Sequence, residues 1–251
     1  MTAIELTLLV IIFLVASIVG VVTGSNSLVT VPVMFQFGID PRVAVATNMF
    51  GLTFMAVGAT IPFLSAGRID VRRISPLIGL TIVGSALGAA IVGFLTGETI
   101  KLIVSAAMVA VVIFTLFKRR DRDASDHAVS KAALVLTFTL TFLLGIYGGL
   151  YSGGYVTILT AMLVAFFGMS YGESVASTKL INVFSSLVAT IIFAWQGLID
   201  YTLGLVLGVT MFAGGYIGAH YASRLDEIWL KRIFLLTVAV LAAKTIYDLV
   251  G

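Results

Sequence analysis

The chain contains no cysteine, which excludes a disulfide framework and any thiolate metal or redox chemistry. Its two histidines, His127 and His220, sit in unrelated settings, and no HExxH, GxSxG or P-loop pattern occurs. The sequence therefore offers no enzymatic constellation, no cofactor motif and no metal-ligand set. Charge is scarce as well: 11% of the 251 residues are Asp, Glu, Lys or Arg, against about a quarter in soluble domains. The net charge of +3 falls in short loops and gives no reason to invoke nucleic acid.

What the chain has instead is apolar length. Hydrophobic residues make up 60% of it and the mean hydropathy is +1.14. Runs of at least about 18 apolar residues recur from end to end, which suits helices crossing a hydrocarbon core roughly 30 Å thick. The alternation of apolar and polar residues that marks an outer-membrane barrel is missing. The expected fold class is all-α and polytopic. The first run, Ile4 to Val22, has Glu5 where a signal peptide has a basic region and no small-residue cleavage site, so it reads as a retained helix.

The hydrophobic segments fall near 4–22, 25–37, 43–64, 74–96 and 99–117, then 131–151, 155–168, 173–196, 202–222 and 228–249. The second five echo the first. A shift of 130 positions superposes Gly24 on Gly154, Thr30 on Thr160 and Phe37-Gly38 on Phe167-Gly168. It also superposes Gly67, Ile69 and Asp70 on Gly197, Ile199 and Asp200. Ordered glycines, threonines and aspartates exceed what shared oiliness supplies, and internal duplication is a building plan of secondary transporters. The chain reads as one transmembrane domain: repeat one 1–117, a cytoplasmic loop 118–130, and repeat two 131–251.

Lys and Arg in short loops are retained in the cytoplasm. The Asp70 loop carries Arg68, Arg72 and Arg73, and the central connection carries Lys118, Arg119, Arg120, Arg122 and Lys131. The last loop carries Arg224, Lys231 and Arg232. Placing all three on one side requires two inverted repeats, each with an odd number of crossings, so 25–37 and 155–168 traverse the membrane as broken elements. A parallel arrangement, with those segments re-entrant, is the alternative; it leaves the Arg224 cluster outside.

Both short segments follow an interruption. In the second half it is GGLYSGGYVT, residues 148–157, and in the first it is IVGVVTGSNS, residues 18–27. Broken backbone is tolerated in lipid only where it is buried in protein or lines a wet cavity. Paired breaks are the best sequence pointer to a substrate site near the midplane. Gly24, Ser25, Asn26 and Ser27, with Gly153, Gly154, Tyr155 and Thr157, are therefore candidate substrate-binding residues, because amides freed at a helix start favour an anion. For Gly148 and Gly149, close helix packing is the competing reading. It is the preferred one for Gly84/Gly88, Gly204/Gly208 and Gly214/Gly218.

Lys179 lies within an apolar run, where a charge is by default a functional hypothesis. It could neutralise an anion; the alternatives are snorkelling to the interface or pairing with Glu173. Ser177, Thr178 and Asn182 lie beside it on the same segment, and Asn48 matches Thr178 in the other repeat. Asp70 and Asp200 read as helix N-caps, His220 as a packing residue, and Trp195 and Trp229 as interfacial anchors.

The repeated pattern, VVTGSNSLVTVPVMFQFGIDPRVAVATN and GGLYSGGYVTILTAMLVAFFGMSYGESVASTKL, each followed by G-x-I-D, resembles the sulfite exporter TauE/SafE family, also called the toluene sulfonate uptake permeases. The resemblance spans nearly the whole chain. It implies a multi-pass permease of the bacterial-type inner membrane, with no cofactor, that moves sulfite, organosulfonates or related small anions by alternating access. It further implies coupling to an ion gradient, proton or sodium, and leaves an oligomer possible. Family motifs fall on Gly24, Pro32, Ala46 and Thr47, and on Gly153, Gly154, Ala176, Ser177 and Lys179. The first repeat has Thr23-Gly24-Ser25 where a richer glycine cluster is typical, and Met162 stands opposite Pro32. An anion channel and a membrane scaffold subunit are the rival functions.

Overall fold

The computed structural model describes residues 2–24, 26–117, 130–224, 226 and 229. Ser25, most of the central basic loop and the tenth apolar segment, with Lys231 and Arg232, lie outside the described residues. Those described form nine helices: α1 (Ala3–Thr23), α2 (Ser27–Gln36), α3 (Pro41–Ser65), α4 (Val71–Val92), α5 (Gly97–Phe117), α6 (Lys131–Leu150), α7 (Tyr155–Phe166), α8 (Tyr171–Trp195) and α9 (Tyr201–Ala222). The fold is all-α. Helices α1, α3, α4, α6, α8 and α9 are long and apolar enough to cross a membrane. At 10 and 12 residues, α2 and α7 are only about 15 and 18 Å long. Each covers about half of a roughly 30 Å core.

Local chemistry sets the helix starts. The side chains of Asp70 and Asp200 accept from the backbone N–H groups of Arg73 and Leu203, capping α4 and α9 as their sequence context indicates. Asp40 caps α3 ahead of Pro41 at its first position. Ser170 and Glu173 form a capping box on α8. The Glu173 carboxylate accepts from Ser170 N at 2.9 Å, so Glu173 is committed to its own helix end and the Lys179–Glu173 pairing does not form.

The ends are just as regular. Among the described residues six glycines have positive φ: Gly24, Gly38 and Gly67, and, each 130 positions later, Gly154, Gly168 and Gly197. The two halves thus turn at matching places. They are also interleaved: α9 packs against α1 and α3 of the first half, while α4 packs against α6 and α8 of the second. Helix α3 lies directly on α8. Neither half can bury its apolar faces alone.

Glycine decides how close these helices come. A Cβ on Gly84 would lie 2.6 Å from the Phe142 carbonyl of α6, and one on Gly214 would lie 2.7 Å from Ser17 Cβ of α1. Gly88 and Gly218 abut the Ile146 and Ile18 carbonyls in the same way. Gly148 and Gly149 lie inside α6, against the Tyr155 ring and the Ser85 backbone. Both serve packing; the chain interruption itself begins at Tyr151.

Candidate functional site

Helix α1 ends at Gly24, whose φ of 70° is left-handed and whose N–H donates to the Gly20 carbonyl, a glycine C-terminal stop. Helix α6 ends at Tyr151, and α7 begins after Gly154 at φ 80°. These two interruptions touch. Ser27 Oγ lies 2.7 Å from Ser152 Oγ, the Tyr151 hydroxyl donates to the Ser27 carbonyl at 2.9 Å, and Thr157 Oγ1 donates to the Thr23 carbonyl at 2.7 Å. A Cβ on Gly24 would lie 2.7 Å from Thr157 N, so only glycine lets the end of α1 sit on the start of α7.

Against this junction lies a small cavity of ≈ 20 Å³. About 10–15 Å³ is enough for one water molecule, so the hollow suits a compact guest. Its polar wall is Asn26, Ser27, Ser152, Lys179 and Asn182; Gly20, Gly24, Val156 and apolar residues of α3, Met55 among them, complete it. Lys179 is 3% exposed, and its Nζ donates to the Gly20 carbonyl at 3.3 Å. Among the described residues the ion pairs are Arg42–Asp40 and Lys101–Glu98, at the exposed starts of α3 and α5, so no described carboxylate neutralises Lys179. An isolated buried ion costs several kcal/mol. A negatively charged guest beside Lys179 would offset that cost.

The amides are held unequally. Asn48 Nδ2 donates to Ser27 Oγ at 2.9 Å, and Asn48 Oδ1 accepts from Thr30 Oγ1 at 2.7 Å. The matching pair 130 positions later, Thr160 and Thr178, is looser at 3.4 Å. Among the described residues the Asn26 side chain reaches only the thioether of Met55, 3.3 Å away, and its buried Oδ1 meets no partner there.

Of the residues expected from the sequence, Gly24, Asn26, Ser27, Lys179 and Asn182 line the cavity. Asn48 and Thr157 join it through Ser27 and Thr23. Gly153, Gly154, Tyr155, Ser177 and Thr178 do not line it. Gly153 instead accepts from the Tyr147 hydroxyl, and Gly154 is packed against Val111 of α5. The Tyr155 ring turns toward α6, and Thr178 Oγ1 donates to its own helix at Val175. Sequence reading passed over Ser152, Tyr151 and Gly20. Ser152 was findable as the lone serine inside the second glycine cluster; Gly20, one turn before Gly24, carried no signal of its own.

The family profile described as sulfite exporter TauE/SafE matches residues 8–245. The chain belongs to this family. It is 25% identical to "Probable membrane transporter protein ORF9" of Sinorhizobium sp, over 96% of this chain and 93% of that one. It is 23% identical to "Probable membrane transporter protein YfcA" of Escherichia coli K12, over 96% and 90%. With "Probable membrane transporter protein YdhB" of Bacillus subtilis 168 it shares 23% over 93% and 96%. No solved structure gives a significant match. Family and fold together make this TauE/SafE protein a multi-pass membrane protein of a transporter family with bacterial relatives, and not an enzyme.

Proposed function

We propose that the protein is a secondary transporter for a small anion, sulfite or an organosulfonate, working by alternating access in a bacterial-type inner membrane. The observation that carries this reading is Lys179: a buried ammonium with no described carboxylate near it, facing a cavity where two chain interruptions meet. Lys179 supplies the charge. Asn26, Asn182, Ser27 and Ser152 supply neutral donors around it, and Asn48 and Thr157 hold Ser27 and the α1 end in place. The cavity is small, so the compact SO₃ group is the part recognised, and an extended substrate needs the walls to part. In this reading the halves are inverted. Alternating access consists of the Ser27–Ser152 and Tyr151–Ser27 hydrogen bonds breaking as one repeat rocks against the other.

The test is a thermal-shift screen of the purified protein against sulfite, sulfoacetate, taurine, sulfate and short carboxylates, followed by uptake into liposomes. Saturable uptake that follows an imposed gradient is expected for a transporter, whereas flux that does not saturate would indicate a channel. A screen in which no anion raises the melting temperature would overturn the reading.

A further inference from the structure

The polar wall of the cavity holds one group that a bare anion cannot satisfy. Asn26, 5% exposed, lines the hollow together with Met55, and its Nδ2 donates to the Met55 thioether at 3.3 Å. A thioether accepts and cannot donate, so it holds the nitrogen end of the amide and leaves Oδ1 at the other end. That oxygen is buried and meets no partner among the described residues. The amide's second N–H can still serve an anion, but Oδ1 only accepts and repels one. Gly20 sets this acceptor beside the charge. A Cβ on Gly20 would lie 2.9 Å from Asn26 Cβ, and the Gly20 carbonyl accepts from Lys179 Nζ at 3.3 Å. Lysine and asparagine thus meet across one glycine. At the matching positions 130 residues away stand Leu150, Val156 and Met49, so the duplicated chain carries this combination once.

We propose that Asn26 is a specificity-determining residue and that the anion it selects carries its own hydroxyl, no more than two bonds from the charged group. This selection rests on the anion-transporter reading and narrows its substrate class. Lys179 holds the charge, and Asn26 Oδ1 accepts from the O–H of the guest. Hydrogen sulfite, glycolate and hydroxymethanesulfonate have this layout. The size of the hollow enforces the choice. At ≈ 20 Å³ it holds about one water molecule, so a guest cannot enter beside a water that serves Oδ1 and must itself replace that bond. A guest without a donor leaves a buried acceptor unpaired next to a negative charge, which weakens its binding at least about tenfold. The α3 side of the cavity, Leu52, Met55, Ala56 and Ala59, offers no donor in exchange.

The experiment is calorimetric titration of the purified full chain with two pairs of anions at fixed pH and ionic strength: glycolate against propionate, and hydroxymethanesulfonate against ethanesulfonate. Members of a pair have the same charge and the same number of non-hydrogen atoms, and differ by a hydroxyl in place of a methyl. The hydroxylated member should bind at least about tenfold more tightly. In Asn26→Val, which installs the residue found at the matching position of the other half, that ratio should fall to about one. Met55→Leu, a swap of similar volume, removes the sulfur that orients the amide and should also shrink the ratio; if Asn26→Val does not fold, Met55→Leu decides alone. Equal binding within both pairs, or a ratio that survives the substitutions, would overturn the proposal and leave the anion-transporter reading standing. Binding of none of the four anions by the parent would overturn both.

Discussion

At the scale of the residue, Lys179 and Gly24 matter for opposite reasons. Lys179 is costly to the fold in isolation, so it gains most from a ligand. A hydrogen bond to a charged group contributes about 1.5–3 kcal/mol, and Lys179→Ala should therefore weaken anion binding by roughly 10- to 100-fold, read as loss of the anion-induced melting shift. The same substitution should not lower the melting point of the ligand-free protein, since it removes a buried charge whose described contact is a single 3.3 Å bond. A ligand-free collapse together with an unchanged anion shift would show Lys179 to be structural. Gly24 is constrained by geometry alone. With φ at 70° and Thr157 N where a Cβ would need to fit, Gly24→Ala should cost at least about 1–2 kcal/mol from the left-handed backbone. Its melting point should fall by several degrees and transport should be lost with it. A variant as stable and active as the parent would mean that α1 and α7 are not held so closely.

At the scale of the element, the two half-length helices follow from composition and stop signals. Helix α2 carries Pro32 inside a ten-residue span, α7 starts on a left-handed glycine, and both end at a Phe-Gly turn whose glycine is left-handed. None of these ends uses a side-chain cap, whereas α4 and α9 do. Asp70→Ala and Asp200→Ala should each lower stability by about 1 kcal/mol and leave anion affinity unchanged. A loss of gradient coupling at unchanged stability would instead give either aspartate a role in ion transfer. The start of α4 has a further tie: the Arg73 guanidinium donates to the Phe167 and Gly168 carbonyls at the end of α7 and lies 5.0 Å from the Phe167 ring centre. Its counterpart in the second half is Leu203, so only α7 is clasped in this way. His220, stacked 6.2 Å from Tyr216, packs within the last turns of α9. Trp195 is 84% exposed at the end of α8, a position suited to the membrane interface.

At the scale of the molecule, the proposed inversion makes a clean prediction because the chain has no cysteine. Single cysteines at Gly67 and Gly197, in matching turns 130 positions apart, should react with a membrane-impermeant thiol reagent from opposite sides, Gly67 from the cytoplasm and Gly197 from outside. Labelling of both from the same side would establish parallel repeats and make α2 and α7 re-entrant. The interleaving of α9 with α1 and α3, and of α4 with α6 and α8, limits how far one repeat can rock against the other, so a small rocking should open the site chiefly at the junction of Gly24, Ser152 and Gly154.

Much of this was legible in the chain itself. Apolar run length determined the solvent and the helical class, because backbone groups in lipid must be satisfied within a segment. Spaced glycines and aspartates determined where helices stop and start, because φ > 0 and capping are local properties. The one buried charge among the described residues, Lys179, was equally conspicuous. Only the tertiary structure decided what those pieces face. It put Ser152 and Tyr151 against Ser27 across the two halves, and turned Tyr155 and Thr178 away from the cavity. It also joined Ser85 of α4 to Ser185 of α8, a hundred positions apart in sequence. Hydroxyl residues are common in apolar helices and commonly bond their own backbone. Which of them converge depends on helix rotation and crossing, quantities set by packing between segments and by no single one of them.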